Sequence, residues 1–257
     1  MTTRNDLRQQ GEAMRSRLFG TDITNTQAED TASGFRDLLS ETEFGIVWCR
    51  PGLALVDRMV CTLAVLGCVQ RHPALRRYVG AALNIGLDAS AIQEVLIQIG
   101  IYAGFTASEE ALGTAATVFL ERGIKIPPQA PRNDSHETLA ARGGELLRAL
   151  HREGSDKGYA APDNPVTSAL YPVAIEYGYG EIWFRPGLSH RQRVLCAVAS
   201  FTALRSENQT RRFGQAALNL GATRTEVIEA VIQTAPFSGF APALNALSVL
   251  SDVLRPV

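Results

Sequence analysis

The sequence has no C-x-x-C pair and no zinc-type spacing among its four cysteines, Cys49, Cys61, Cys68 and Cys196. That excludes the usual signatures of dithiol redox chemistry and structural zinc. Cys61 and Cys68 are seven apart on one predicted helix, so their Cα atoms stand about 10 Å apart along its axis, beyond disulfide reach. Net charge is also scarce, at −1 over 257 residues, which gives no electrostatic reason to expect a nucleic acid or an anionic membrane as partner. No apolar run approaches the roughly 18 residues of a spanning helix. The polar first twenty residues lack the apolar core of a signal peptide, so a cytoplasmic protein is expected. No alternating β segment of useful length is found. Glycine-rich phosphate loops and a Ser-His-Asp arrangement are not apparent. The four histidines form no cluster with metal-ligand spacing, so no metal is expected. Hydrophobic residues at 46% against 20% charged give a globular chain with ample core, and its length suits one or two ordinary domains.

What is present is a repeat. Residues 45–112 recur without a gap at 180–247. Trp48, Arg50, Pro51, Gly52 and Leu53 reappear as Trp183, Arg185, Pro186, Gly187 and Leu188. The same spacing pairs Arg58 with Arg193, Cys61 with Cys196, Glu94 with Glu229 and Gln98 with Gln233. It also pairs Ala81-Ala82-Leu83-Asn84 with Ala216-Ala217-Leu218-Asn219. Such a repeat is one folding unit present twice. Residue types kept in both halves serve both units, and those that differ cannot be needed in both. A weaker helical preface precedes each unit: Gly11, Glu12 and Arg15 align with Gly144, Glu145 and Arg148, shifted by two residues from the main spacing. The expected division is residues 1–125, a proline-rich linker at 126–134, and 135–257.

Periodicity predicts four helices per unit. In the first they run over 54–70, 73–85, about 90–103 and about 106–122. His72-Pro73 separates the first two, since proline disfavours helix in the residue before it. Gly86 suits a C-terminal cap, Asp88 or Ser90 an N-cap, and Thr223 or Thr225 does the same in unit two. Pro236 predicts a kink or early stop in that helix. The fold is therefore expected to be all-α, with two similar units packed as a pseudo-symmetric pair.

The candidate chemistry lies in residues kept by both units. Glu94 and Gln98, like Glu229 and Gln233, are one turn apart and share a face of an otherwise apolar helix. A carboxylate on such a face tends toward a raised pKa suited to acid–base work; a solvated Glu near a helix N-terminus is the plainer reading. The next turn carries Tyr102 in one unit and Phe237 in the other. Arg50, Arg185, Arg58 and Arg193 suit carboxylate binding, or equally an ion pair between repeats or subunits with Glu94 or Glu229. Trp48 and Trp183 can line a pocket or simply pack. Cys61 and Cys196 sit in apolar helices and read as inert thiols rather than nucleophiles. His72, His136, His151 and His190 have no counterparts between repeats and are expected at the surface.

The W-x-R-P-G-L opening, the Arg-containing apolar helix, the helix from Leu75 to Gly86, and Glu94 to Gly104 together resemble the carboxymuconolactone decarboxylase family, with its AhpD-like fold. The resemblance covers about two-thirds of the chain as tandem copies. It implies a cofactor-free enzyme, a small-molecule substrate, and a homo-oligomer, either a trimer of fused chains or a dimer. It also implies a proton-transfer histidine in the second helix, but that position holds Tyr78 in one unit and Phe213 in the other. The resemblance then makes Glu94, Glu229 or Tyr78 the acid. Arg50, Arg185, Arg58, Arg193, Trp48, Trp183, Gln98, Gln233, Tyr102 and Phe213 would surround the substrate.

Three readings follow. One is a cofactor-free lyase of the decarboxylase type acting on a small cyclic carboxylic acid or lactone. Another is a repurposed isomerase, cyclase or dehydratase for a larger cyclic metabolite, favoured by an apolar pocket. The third is a binding or assembly protein, marked by a pocket filled with Trp48, Tyr78 and Phe213 and a salt-bridged Glu94. If only one pocket works, it is expected to use Glu94.

Overall fold

The computed structural model describes residues 2–20, 31–126, 132–155, 157, 161 and 164–255. Of the proline-rich stretch, residues 127–131 lie outside the described residues. Among the described residues every regular element is helical. In the first unit α1 spans Arg4–Phe19, and α2, Phe35–Leu39, passes into a π-helical segment, Ser40–Trp48. Then come α3 (Leu55–Cys68), α4 (His72–Asn84), α5 (Ala89–Gln98), α6 (Gly100–Ala103) and α7 (Phe105–Glu121). The second unit repeats this order. It has α8 (His136–His151), α9 (Tyr171–Val173) passing into a π-helical Ala174–Glu181, α10 (His190–Ala203), α11 (Glu207–Asn219), α12 (Arg224–Ser238) and α13 (Phe240–Val249). No helix among the described residues is long and apolar enough to cross a membrane.

Local chemistry explains the starts and stops. Ser189 and Thr223 form capping boxes with Gln192 and Glu226, each satisfying orphan N–H groups at a helix start. Asp88 stands at the N-cap of α5 without a side-chain bond to the helix. The early stop expected at Pro236 does not occur: α12 runs through it to Ser238, while its proline-free counterpart divides at Ile99 into α5 and α6. Proline in the last turn forfeits only one hydrogen bond, and Gly239 ends the helix two residues later.

The centre is built from α3 and α10, which pack on each other across the junction. Every residue from Asp57 to Cys68 is buried, as is every one from Arg193 to Ser200. A helix buried all round belongs at the middle of a core. The two cores interlock: Cys196 and Leu188 pack into the first, and Leu53, Cys61 and Val65 into the second. Burial pushes the Cys61 and Cys68 thiols up to about 12 and Cys196 well above its usual value, so these sulfurs stay protonated.

The preface helices dock on the π-helical segments through glycine. A Cβ on Gly11 would stand 1.8 Å from the Ser40 carbonyl oxygen, and one on Gly143 would stand 2.2 Å from that of Ile175. Asn84 donates to the Leu18 carbonyl at 2.8 Å, and Asn219 to that of Leu150 at 2.8 Å. Gly11 therefore corresponds to Gly143, one residue earlier than the Glu-Arg pattern suggests. Backbone contact sets the register, not the Glu-Arg pattern. In the corrected register His151 corresponds to Phe19.

Candidate functional site

The arginines and glutamates kept in both units meet across the junction, each arginine pair closing on the other unit's carboxylate. Arg50 reaches Glu229 through Nε at 2.9 Å and Nη2 at 2.8 Å, and Arg58 Nη2 reaches it at 2.8 Å. Arg58 Nη1 donates to Gln233 Oε1 at 3.1 Å. In mirror fashion, Arg185 Nη2 lies 3.0 Å from Glu94, Arg193 Nη2 donates to it at 3.0 Å, and Arg193 Nη1 donates to Gln98 at 3.1 Å. The R-P-G motif makes this possible. Gly52 and Gly187 adopt φ of 92° and 103°, open to glycine but not to most residues. A Cβ on Gly187 would lie 3.1 Å from Glu94 Cγ. Both glutamates are buried. Burial pushes Glu229 up, yet the hydrogen bonds and charges of Arg50 and Arg58 outweigh it and hold the carboxyl below its usual value. The raised pKa expected from the apolar face is thus reversed there, because that face meets arginine from the other repeat.

The two junctions differ at their outer end. Gln98 donates to the Arg193 carbonyl at 2.7 Å and to the Tyr102 hydroxyl at 2.9 Å. Phe237 stands at Tyr102's place and has no hydroxyl, and Gln233 donates instead to Thr62 Oγ1 at 3.2 Å. Only the Glu94 network therefore ends on a phenol. Burial pushes that phenol well above its usual pKa, so it stays protonated.

Tyr102 and its neighbours Gly100, Ile101 and Phe105 close, from the first unit, a cavity of about 590 Å³ whose other walls belong to the second unit. Its walls include Phe201, Phe213, Tyr171, Tyr177 and Gly178. The Tyr102 ring centroid lies 4.7 Å from Phe201 and 6.3 Å from Phe213. The first unit places charged groups at some of the equivalent positions. Glu43 stands where Gly178 is and accepts from the Tyr78 hydroxyl, while Arg15 lies 5.8 Å over the Phe44 ring. Tyr78 is stacked on Trp48 at 6.0 Å and wedged edge-on by Phe237 at 5.2 Å. Burial and the Glu43 charge push its phenol well above the usual value.

The structure thus brings Glu94, Gln98, Arg185, Arg193 and Tyr102 together near Phe213, and gathers Glu229, Gln233, Arg50 and Arg58 into a separate lock. Trp48 and Trp183 are buried; neither is among the residues that line the aromatic cavity. His151 and His190 depart from the surface expectation. His190 sits against the Phe184 ring at 5.0 Å, and His151 stands edge-on to Phe213 at 5.4 Å, as Phe19 stands to Tyr78 at 5.3 Å. Burial, then the charge of Arg212, lower His151 to about 4. Sequence reasoning missed it because it lies on the preface helix, whose register differs from that of the main repeat. Among the described residues no group of three His, Cys, Asp or Glu could hold a metal ion.

The profile described as "Carboxymuconolactone decarboxylase family" matches the sequence twice, over residues 34–117 and 169–252. The 4-carboxymuconolactone decarboxylase of Acinetobacter baylyi is 33% identical over 118 residues, which are 45% of this chain and 88% of that protein. Nitrosuccinic acid decarboxylase npaB of Metarhizium robertsii is 28% identical over 91 residues, which are 35% of this chain and 64% of that protein.

Proposed function

The chain belongs to the carboxymuconolactone decarboxylase family, and we propose that it is a cofactor-free lyase of the decarboxylase type working in the cavity between Tyr102 and the second unit. The substrate is a cyclic carboxylic acid or lactone with a carbonyl that can accept an electron pair. The observation that carries this reading is the Tyr102 phenol, fixed by Gln98 and placed in the wall of an aromatic cavity. Loss of CO2 spreads the carboxylate's charge, which an apolar, water-poor wall favours. The bond to the carboxylate breaks and its electron pair passes into the ring as an enolate. Tyr102, held protonated, donates to the carbon and recovers its proton from solvent. The ion pairs of Arg185 and Arg193 with Glu94 fix Gln98 and so aim the phenol. Arg58 and Glu229 act as a structural lock.

Both relatives are named decarboxylases, which supports the reaction type. The test is CO2 release and ultraviolet change when the purified chain meets carboxymuconolactone with no cofactor added. Folded protein that shows no turnover, while the same assay registers an active decarboxylase, rejects this substrate.

One observation favours a second reading. A volume of about 590 Å³ lies within the roughly 300–1,000 Å³ of pockets for drug-sized ligands, and the walls are mostly apolar. A larger cyclic metabolite, isomerised, cyclised or dehydrated with Tyr102 as acid, fits that space. Turnover of such compounds without CO2 release would select it.

A further inference from the structure

A second, polar compartment adjoins the aromatic cavity. It is lined by His151, Lys157, Asn208, Arg211, Arg212 and Gln215, with Gln209 shared between the two, and encloses about 720 Å³. The wall between them is the edge-on contact of His151 with Phe213. Arg211 is paired with Asp252, and Lys157 and Arg212 stand in the same lining.

Comparison of the repeats shows that part of this lining differs between the units. Where unit two has His151, Gln209 and Gln215, unit one has Phe19, Ala74 and Gly80. Arg211 and Arg212 have counterparts in Arg76 and Arg77, so what sets the second unit apart is the neutral polar set of His151, Gln209 and Gln215, which stands beside the cavity that Gly178 helps to line. Packing alone gives no reason for this, because the first unit folds with Phe, Ala and Gly at the same places. A further sign is that His151 Nε2 is buried and has no hydrogen-bond partner among the described residues. A buried, unsatisfied nitrogen costs free energy unless something bonds to it.

We propose that the two compartments form one bipartite ligand site: the aromatic cavity takes an apolar ring system, and the basic compartment takes a carboxylate attached to it. Arg212 and Lys157 supply charge, and Gln209 and His151 supply hydrogen bonds at the seam. The charge of Arg212 already reaches His151, where it adds to burial in lowering the imidazole. The imidazole is neutral near neutral pH and can bond to a ligand without competing as a cation. This inference rests on the reading of the aromatic cavity as the substrate pocket and narrows the ligand to an organic acid with an apolar body.

The test is binding, read by calorimetry, of 2-naphthylacetate against 2-naphthylacetamide, which has nearly the same shape and no charge. The acid is expected to bind about tenfold tighter, as one charge-assisted contact predicts, and its advantage should shrink with added salt. Lys157→Gln combined with Arg212→Gln, checked for unchanged melting, should bring the acid to the amide's level. Gly178→Leu, which fills the cavity, should abolish binding of both. Equal affinities, an acid advantage that survives the double substitution, binding that survives Gly178→Leu, or no binding of either probe overturns the proposal. Absence of CO2 release from carboxymuconolactone with the acid preference intact rejects that substrate and leaves this inference standing. CO2 release with equal affinities does the reverse.

Discussion

Arg58 of the first unit and Glu229 of the second lie 171 residues apart in sequence and meet at 2.8 Å with both side chains buried. Arg193 and Glu94 repeat the contact in the opposite sense at 3.0 Å. Each unit thus supplies the counter-ion that the other's burial requires, and neither arginine is paired this way inside its own unit.

Breaking this lock should be costly. Glu229→Ala leaves Arg58 buried beside an empty place, and loss of one partner of a buried pair costs about 3–5 kcal/mol. Glu229→Gln keeps an acceptor and should cost less. Urea denaturation of the two variants would show it; equal midpoints for wild type and Glu229→Ala would refute the lock.

The same pair predicts acid sensitivity. The folded pKa of Glu229 is depressed by Arg50 and Arg58 against the push of burial. Its contribution to stability is therefore present above the unfolded carboxyl value of about 4.3 and lost as pH falls through the folded value. Melting temperature against pH should fall more gently on the acid side in Glu229→Gln than in wild type.

His151 contributes in a different window. Its folded pKa is lowered to about 4 from 6.5, so the unfolded chain binds more protons between those values. Stability should decline as pH falls from about 6.5 toward 4 and level off below. Arg212 is the charged group that adds to burial in lowering the imidazole. His151→Phe copies the first unit's Phe19 and should remove this slope; an unchanged slope would show that the imidazole is not held neutral.

Tyr102→Phe isolates the phenol. At the equivalent position Phe237 of the second unit stands 5.2 Å from Tyr78 of the first, so the ring alone is tolerated there. Stability should change little while kcat falls about 100-fold or more, the usual scale of a lost general acid. Tyr78→Phe, whose hydroxyl is committed to Glu43, should leave kcat near wild type. Equal losses from both would refute the assignment to one cavity.

Close backbone packing gives a stability prediction with no link to chemistry. A Cβ on Gly180 would stand 2.1 Å from the Leu139 carbonyl oxygen, a distance that forces α8 away from its π-helical partner. Gly180→Ala should lower the melting temperature by several degrees, whereas Gly113→Ala, where a Cβ meets nothing, should not lower it.

The sequence by itself determined the repeat, the four main helices of each unit, the protonated buried thiols, and the pairing of each Glu with a Gln one turn on. These are local or periodic properties: apolar spacing, caps, and residue types kept twice. It also held the arginine–glutamate pairing as one of two readings, because a sequence names the charges but not their neighbours. Tertiary structure alone decided that each arginine crosses to the other unit, since that depends on how α3 and α10 lie against each other. It decided the register of the preface helices, which Gly11 and Gly143 set by backbone contact, one residue away from the visible Glu-Arg pattern. It likewise brought His151 to Phe213 and left Gly178 beside a cavity where Glu43 meets Tyr78 in the other unit. Those contacts join residues far apart in sequence, and the space between them follows from side-chain volumes summed over several helices, which no local pattern records.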